Sequence, residues 1–289
     1  MQKNYLYIAL AIVLTGMISV SAHALIIQYF QAPNLKIDPF LNQAVGYLIR
    51  FGMIIAPMFI YLYSKEYWAN IKPFKRIILF TILISALVES LRGFIMQIVC
   101  GTPWTYQILV DLPHYLSFLS ISFIVCIFVQ SASETKHFKL LKYVALTILG
   151  IALMSVVKII NHALLVPLLA HMPQPLSGPQ VPYGANILIP AYITYLEPTI
   201  ASFIVFYLIK DKLSTYSTMT NGFIMGAIII TIHGGIFSIL QIACSTGNIF
   251  YRIFYYGQFL WEYLALGLLT AYSFDLLQNR RIFLTRRRK

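Results

Sequence analysis

Long apolar runs alternate with short polar segments along almost the whole of this 289-residue chain. Most of these runs are close to the roughly 20 residues that an α-helix needs to cross the hydrocarbon of a bilayer. The eight runs occupy residues 5–30, 44–63, 77–100, 114–131, 143–170, 188–208, 221–244 and 257–276. The pattern predicts an all-α polytopic membrane protein in which residues 1–289 form a single transmembrane domain.

The distribution of Lys and Arg predicts how these helices are oriented. Sixteen of the 21 basic residues fall at the amino terminus, in three short loops or in the carboxyl tail, whereas Lys36 and Arg252 lie in loops of the opposite side. Short loops rich in Lys and Arg are retained in the cytoplasm. We therefore predict that both termini are cytoplasmic and that the eight helices form four hairpins, each going out and back.

Composition narrows the class of protein and its partners. Hydrophobic residues make up 59% of the chain and charged residues 10%, against about 25% charged residues in a typical soluble domain. The net charge of +12 follows from topology, so we predict no nucleic-acid partner. The expected partners are the bilayer, anionic lipids at the basic cytoplasmic face, and a small-molecule or lipid ligand, with a protein partner left open. The expected location is a bacterial cytoplasmic membrane.

Two interpretations of the amino terminus remain open. Lys3, the apolar stretch 5–20 and Ala22-His23-Ala24 have the order of a secretory signal with a small-x-small cleavage site. Hydrophobicity continues through Phe30, which is long for a signal and favours a first transmembrane helix. Cleavage would leave seven spans and an external amino terminus.

The third and seventh apolar runs share a short motif. Gln97-Ile98-Val99-Cys100 and Gln241-Ile242-Ala243-Cys244 both end a helix that runs outward. When the glutamines are aligned, Glu89 and His233 both stand eight residues earlier, so ionisable groups are expected at matching depth. A parallel internal repeat, as found in some transporters, and chance similarity between apolar segments explain the motif equally well.

Ionisable residues inside the apolar runs are the strongest functional signal, because a charged side chain at the bilayer centre costs at least about 2.5–3.5 kcal/mol. They are His23, Arg50, Glu89, Arg92, Lys158, His162, Glu197, His233 and Glu262. Asp111 and His114 stand at the outer mouth of the fourth helix. Nearly all lie in the outer half of the membrane. This layer predicts a polar cavity built by helices three and five to eight, open to the outside above a dry inner half.

The full charges within this set balance. The cations are Arg50, Arg92 and Lys158, and the carboxylates are Glu89, Glu197 and Glu262. Balance predicts ion pairs in the resting state, such as Glu89 with Arg92 three residues later on the same helical face. Lys158 is expected to pair with Glu197 or Glu262. Such pairs serve helix packing as readily as function.

Helix-disrupting residues and cysteines accompany this set. Leu196-Glu197-Pro198 discourages a straight helix, and His233-Gly234-Gly235 loosens a helix or admits close neighbours. Both patterns fit simple packing or the discontinuous helices of transporters. Cys100 and Cys244 lie at outer helix ends, where a disulfide and two free thiols are the alternatives. The cysteines have no metal-binding spacing, and the sequence names no cofactor.

These patterns predict an integral membrane transporter or permease for a small solute, with an anionic solute among the candidates. The predicted substrate- or ion-binding residues are Glu89, Arg92, Lys158, Glu197, His233, Glu262, Arg50 and His162. Carboxylates would hold protons or cations, basic side chains would anchor an anionic group, and histidines would relay protons. One alternative is an enzyme, either an acyl or glycosyl transferase or a hydrolase, acting on lipid-linked substrates at the outer leaflet with Glu89 and His233 as acid and base. The other is a membrane sensor or assembly partner.

Overall fold

The computed structural model describes residues 2–30, 39–129, 136–173, 183–244 and 248–286, and all regular secondary structure in those ranges is helical. The helices are α1 (Gln2–Phe30), α2 (Pro39–Trp68), α3 (Pro73–Leu87), α4 (Ser90–Val99), α5 (Trp104–Phe128), α6 (Lys136–Ile160), α7 (Val166–Ala170), α8 (Ala185–Thr194), α9 (Leu196–Ile209), α10 (Thr218–Ile232), α11 (Ile236–Cys244) and α12 (Ile249–Arg286). A π-helical turn over Asn161–Leu165 joins α6 to α7, and a 3₁₀ turn over Lys210–Leu213 follows α9.

Five stretches of the described chain are single helices long and apolar enough to cross a membrane. They are Tyr5–Ile26, Gly46–Trp68, Trp104–Phe128, Leu141–Ala170 and Ala185–Leu213. Two bent pairs raise the number to seven if each pair is one span, namely α3 with α4, bent by 51°, and α10 with α11, bent by 83°. The predicted eighth span, 257–276, falls within α12, which is not among these candidates. The count of eight and the internal repeat therefore stay predictions.

Parts of the predicted outer loops and of the basic tail lie outside the described residues. They are 31–38, 174–182, 245–247 and 287–289. The motif cysteines Cys100 and Cys244 are both described, and both are free thiols.

Helix α12 is the element along which α1 and α10 pack. Between α1 and α12, the hydroxyl oxygens of Thr15 and Ser273 are 3.2 Å apart. Between α10 and α12, small residues let the backbones touch, since a Cβ added at Gly267 would overlap the backbone nitrogen of Gly226. Helices in lipid associate largely through such close packing. The contact fixes α10 and α12 as a tightly packed pair.

The apolar core lies toward the helix ends that the sequence predicts to be cytoplasmic. It joins α2, α3, α5, α9 and α10, with Phe80 in edge-to-face contact with both Tyr61 and Trp68. Buried Val125 and Ile209 belong to the same cluster. Arg76, near the start of α3, is also buried at this end of the helices. The buried residues Glu89 and Glu262 lie beyond the core, in the other half of the helices.

Candidate functional site

The first element of the site is the break between α3 and α4. Leu87 ends α3, Ser90 begins α4, and Glu89 between them has φ 59° and ψ 34°, the left-handed conformation. Such a conformation is uncommon for a residue with a long side chain and costs of order 1–3 kcal/mol. The break interrupts the run of helical hydrogen bonds beside a charged residue. A carboxylate and backbone groups that find their partners outside the helix therefore stand at one place within a membrane-length segment.

Arg92 is held against this break. Its guanidinium Nη1 donates a hydrogen bond to Oε2 of Glu89, which confirms the ion pair expected from the spacing. The guanidinium carbon also lies 5.0 Å from the centre of the Tyr195 ring, within range of a cation–π contact. Burial leaves only 14% of the Arg92 side chain and 8% of the Glu89 side chain exposed, so the two charges depend on each other.

Glu197 caps α4 from a different helix. Its Oε1 accepts a hydrogen bond from the Leu91 backbone nitrogen at 3.0 Å, and its Oε2 accepts one from the Arg92 nitrogen at 2.5 Å. The first backbone N–H groups of a helix lack partners within it and carry positive partial charge. Glu197 lies in the first turn of α9, directly after the single-residue interruption at Tyr195. This interruption and the cap bring α9 to the break in α3–α4.

The second break lies between α10 and α11, at His233-Gly234-Gly235. Gly234 has φ 71°, a conformation that glycine adopts without a steric penalty. The His233 Nε2 donates a hydrogen bond to the backbone oxygen of Leu87 at 3.0 Å. Because Leu87 is the last residue of α3, this bond joins the two helix breaks directly. The residues that the sequence motif aligned, Glu89 and His233, thus stand at two breaks that meet.

Glu262 completes the cluster from α12. The residue has 0% exposure, and neither carboxylate oxygen has a hydrogen bond of ordinary geometry among the described residues. His23 of α1 places its Nδ1 3.4 Å from Oε2 of Glu262. The hydroxyl of Tyr195 faces the same carboxyl group, and Glu262 is within electrostatic reach of Glu89 and Arg92. A buried carboxyl group with so few partners needs a proton or a bound cation.

Charge does not balance within this cluster. Three carboxylates, those of Glu89, Glu197 and Glu262, surround the guanidinium of Arg92, and among the described residues no Lys or other Arg joins them. The expectation that Lys158 pairs with Glu197 or Glu262 is wrong, because Lys158 is exposed on α6 and both glutamates contact other groups. The cluster therefore has a deficit of positive charge.

Two further predicted site residues also lie apart from the cluster. Arg50 donates a hydrogen bond to the Ser155 hydroxyl at 2.8 Å, and its guanidinium carbon lies 5.2 Å from the centre of the Tyr47 ring. His162 is exposed in the π-helical turn. The balanced count over whole spans missed this separation because it ignored which helix faces point inward.

A cavity of about 450 Å³ opens beside His233, between α11, α12 and Ile49 of α2. Six of the thirteen lining residues have aromatic rings, and three more have uncharged polar side chains. The lining residues are Ile49, His233, Gly234, Gly235, Phe237, Ser238, Gln241, Tyr255, Tyr256, Gln258, Phe259, Leu260 and Tyr263. The His233 ring stacks on Tyr263 with centroids 4.0 Å apart, so these two rings form the wall between the cavity and the charged cluster.

Several residues of the site were not among the predicted binding residues. Tyr195 and Tyr263 carry no charge and give no signal in an apolar run. In the chain, Tyr195 lies two residues before Glu197, and Tyr263 directly follows Glu262. His23 was recognised as ionisable but falls in the stretch that also resembles a signal sequence. In the described chain, no three or more His, Cys, Asp or Glu side chains are grouped to hold a metal ion.

Together the helices and the buried cluster define a multi-pass membrane protein with an ionisable centre between its helices. No protein-family model, curated protein or solved structure gives a significant match to this chain.

Proposed function

We propose that the protein is a transporter that moves a small solute in exchange or in company with protons or cations. The single observation that carries this proposal is the hydrogen bond from His233 to Leu87, which joins two helix breaks beside a buried, negatively unbalanced cluster. Discontinuous helices that meet near a charged site are the usual construction of ion and substrate sites in secondary transporters. Irregular backbone at membrane depth is tolerated where it is buried or lines a cavity.

The unbalanced charge favours a proton or cation over an anion as the coupled species. Buried ions without partners cost several kcal/mol each. Glu89 has Arg92 and Glu197 has two backbone N–H groups, so Glu262 is the carboxylate that needs a proton or a cation. The anionic solute considered from the sequence would add to the deficit. The other two basic residues expected to anchor it, Arg50 and Lys158, lie elsewhere.

Glu262 is the proposed exchange site. Arg92 lies within electrostatic reach of both Glu262 and Glu89, and it is bonded to Glu89. When Glu262 loses its proton, the new charge competes with Glu89 for Arg92 and weakens the pair that holds the α3–α4 break. Loading a proton or cation at Glu262 restores that pair. The groups facing Glu262 are His23, Tyr195, Arg92 and Glu89, and each enters this exchange.

The enzyme alternative is less well supported, because the acid–base pair that it needs is already engaged. Glu89 pairs with Arg92, and His233 donates to a backbone carbonyl. The location in a bacterial cytoplasmic membrane, the attraction of the basic tail to anionic lipids, and a protein partner are further parts of this proposal.

Proton movement in proteoliposomes tests the proposal. Purified protein is reconstituted with a trapped pH dye and challenged with pools of amines, amino acids, sugars, organic acids and inorganic cations. We expect a solute-dependent pH change that is abolished in Glu262→Gln. The matched control is Glu66→Gln, which alters an exposed carboxylate paired with Lys212 at 2.8 Å and should leave the signal intact. Absence of any pH change with every pool, in wild-type protein that is folded and reconstituted, would overturn proton coupling.

A further inference from the structure

The cavity beside His233 has walls suited to a positive ion that carries apolar groups. Four of its aromatic residues come from one helix, α12, and lie at successive turns or next to each other: Tyr255, Tyr256, Phe259 and Tyr263. The Tyr255 and Tyr256 rings meet nearly edge to face with centroids 5.3 Å apart, and Phe259 and Tyr263 are 6.3 Å apart. Aromatic faces attract ammonium groups within about 6 Å of the ring centre.

One polar group on the cavity wall lacks a partner. The side-chain oxygen of Gln258 is buried and accepts no hydrogen bond from any described residue. Buried polar atoms are almost always paired, and an unpaired amide oxygen is an acceptor for a donor that is missing from the protein. The oxygen has no exposed surface in this conformation, so an N–H or O–H group of a bound solute would satisfy it after the Gln258 amide turns toward the cavity.

The electrostatic environment selects the sign of the solute's charge. None of the lining residues is Asp, Glu, Lys or Arg, so a ligand ion would not meet a full charge directly. Behind the wall, however, the carboxylates of Glu89 and Glu262 act on Tyr263. Glu89 and Glu197 outnumber the one guanidinium of Arg92, so the field that reaches the cavity is negative even when Glu262 carries a proton. A cation gains from this field, and an anion is repelled.

We infer that this cavity binds an organic ammonium ion, with its charged group against the aromatic faces and a donor group on Gln258. Its volume lies within the roughly 300–1,000 Å³ of small-molecule sites. The binding step rests on the cavity alone. The exchange of this ion for a proton of the carboxylate cluster rests on the proposed transport function. In that exchange the ammonium ion supplies part of the positive charge that the cluster lacks.

Binding is tested by isothermal titration calorimetry on the full chain in detergent. The probes are benzyltrimethylammonium, choline, and 3,3-dimethylbutan-1-ol, which is the uncharged carbon analogue of choline. We expect choline to bind at least about tenfold more tightly than its uncharged analogue, since cation–π attraction at a desolvated site is worth about that factor. Equal binding of the two, or no binding of either ammonium probe to folded protein, would overturn the inference.

Variants of the wall identify the site. Phe259→Leu and Gln258→Leu should each weaken benzyltrimethylammonium binding by about threefold to thirtyfold. Ile49→Trp should abolish it by filling the cavity without removing a polar group. The matched control is Phe250→Leu, which changes an exposed aromatic residue of the same helix outside the cavity and should bind normally. Thermal unfolding of each variant checks that the fold is intact, and wild-type affinity in folded Phe259→Leu and Ile49→Trp would place the ammonium elsewhere and overturn the inference.

The same ammonium group is present in free amines and in the choline headgroup of a phospholipid. Repeating the titration in nanodiscs of phosphatidylglycerol and of phosphatidylcholine separates the two sources. Loss of choline binding only in phosphatidylcholine identifies the lipid headgroup as the occupant, whereas equal binding in both identifies a free amine. Either result supports ammonium recognition. Ammonium binding without proton movement would overturn the transport proposal and leave this inference intact. Proton movement driven only by neutral or anionic solutes, without ammonium binding, would overturn this inference and leave the transport proposal intact.

Discussion

The two helix breaks at the centre of the molecule are built in opposite ways. The break at Glu89 is held by charge: the side chain pairs with Arg92, and Glu197 caps the helix that follows. The break at Gly234 is held by shape, because a Cβ there would lie 2.8 Å from side-chain atoms of Ile49. Both breaks contain a residue in the left-handed conformation, with φ 59° and 71° respectively.

This difference assigns a separate task to each break. A conformation held by ionisable groups responds to protons and ions, whereas one held by glycine and close packing does not. The α3–α4 break should therefore respond to protons and ions, whereas the α10–α11 break is fixed by backbone conformation and packing. The hydrogen bond from His233 to Leu87 couples them.

Removing the cation of the charge-held break should have the largest effect. Arg92→Leu leaves Glu89, Glu197 and Glu262 without their guanidinium, and we expect the free energy of unfolding to fall by about 3–5 kcal/mol, the usual cost of breaking a buried pair. Temperature-dependent gel filtration of detergent-solubilised protein measures the loss. Arg50→Leu is the matched control, because Arg50 lies on α2 and bonds to a neutral hydroxyl, and it should cost clearly less.

A double variant sharpens this test. Glu89→Leu combined with Arg92→Leu removes both members of the pair and should recover part of the stability lost in Arg92→Leu alone. If Arg92→Leu were as stable as wild type, or if the double variant were simply the sum of the two single variants, the break would not be held by charge.

Adding a side chain to the shape-held break should have the second largest effect. Gly234→Val places a branched residue at positive φ and against Ile49, and we expect a loss of about 1–3 kcal/mol. The same unfolding assay measures it. Ile49→Ala should relieve the part due to crowding and leave the part due to φ.

Gly93 in α4 provides the control for this substitution, since a Cβ there would meet nothing within 4 Å. Gly93→Ala should raise stability by about 0.5–1 kcal/mol, as expected for glycine replaced inside a helix. Similar losses at Gly93 and Gly234 would remove the distinction between a helical glycine and one that the break requires.

Removing the cap of α4 should cost less. Glu197→Ala deletes the acceptor of two backbone N–H groups, and we expect a loss of about 2 kcal/mol from charge-assisted hydrogen bonds, reduced by the relief of repulsion from Glu89. Glu66→Ala removes a carboxylate from an exposed pair and should not change stability measurably. If both variants behaved like wild type, the cap would not contribute to the first break.

The smallest effect concerns the far ends of the two short helices. Cys100 follows α4 and is partly buried, and burial raises the pKa of its thiol, whereas Cys244 at the end of α11 is exposed. At pH 7, maleimide should label single-cysteine variants several-fold more slowly at Cys100 than at Cys244, because the thiolate is the reactive form. Labelling of Cys100 should keep rising with pH beyond the usual pKa range of thiols, and equal rates at the two cysteines would contradict the difference in burial.

The sequence was a good guide to the helices because lipid-length apolar runs leave little freedom in secondary structure. The run 77–100 became α3 and α4 in succession, and the run 221–244 became α10 and α11. The breaks within them were signalled by residue type, a charged pair in one case and His-Gly-Gly in the other. Their sharp bends were not predictable, because bend angles depend on neighbouring helices.

The site was predictable only in part. Glu89, Arg92, Glu197, His233 and Glu262 come together, and charge in an apolar run was the signal for all of them. Lys158 and His162 carried the same signal, but they are exposed outside the cluster, Lys158 on α6 and His162 in the π-helical turn. Periodicity gives the face of one helix but not which face meets which neighbour. Uncharged Tyr195 and Tyr263 could be found only from the packed structure.

The glycine contact between α10 and α12 limits which helices can move relative to each other. Because the Gly226 and Gly267 backbones touch, α10 and α12 cannot rotate against each other without losing that contact. With that contact kept, a change in the angle at His233-Gly234-Gly235 would move α11, a helix of nine residues, relative to both α10 and α12. The aromatic cavity lies between α11 and α12. A rotation of α11 about this turn would therefore change the width of the cavity without repacking α10 against α12.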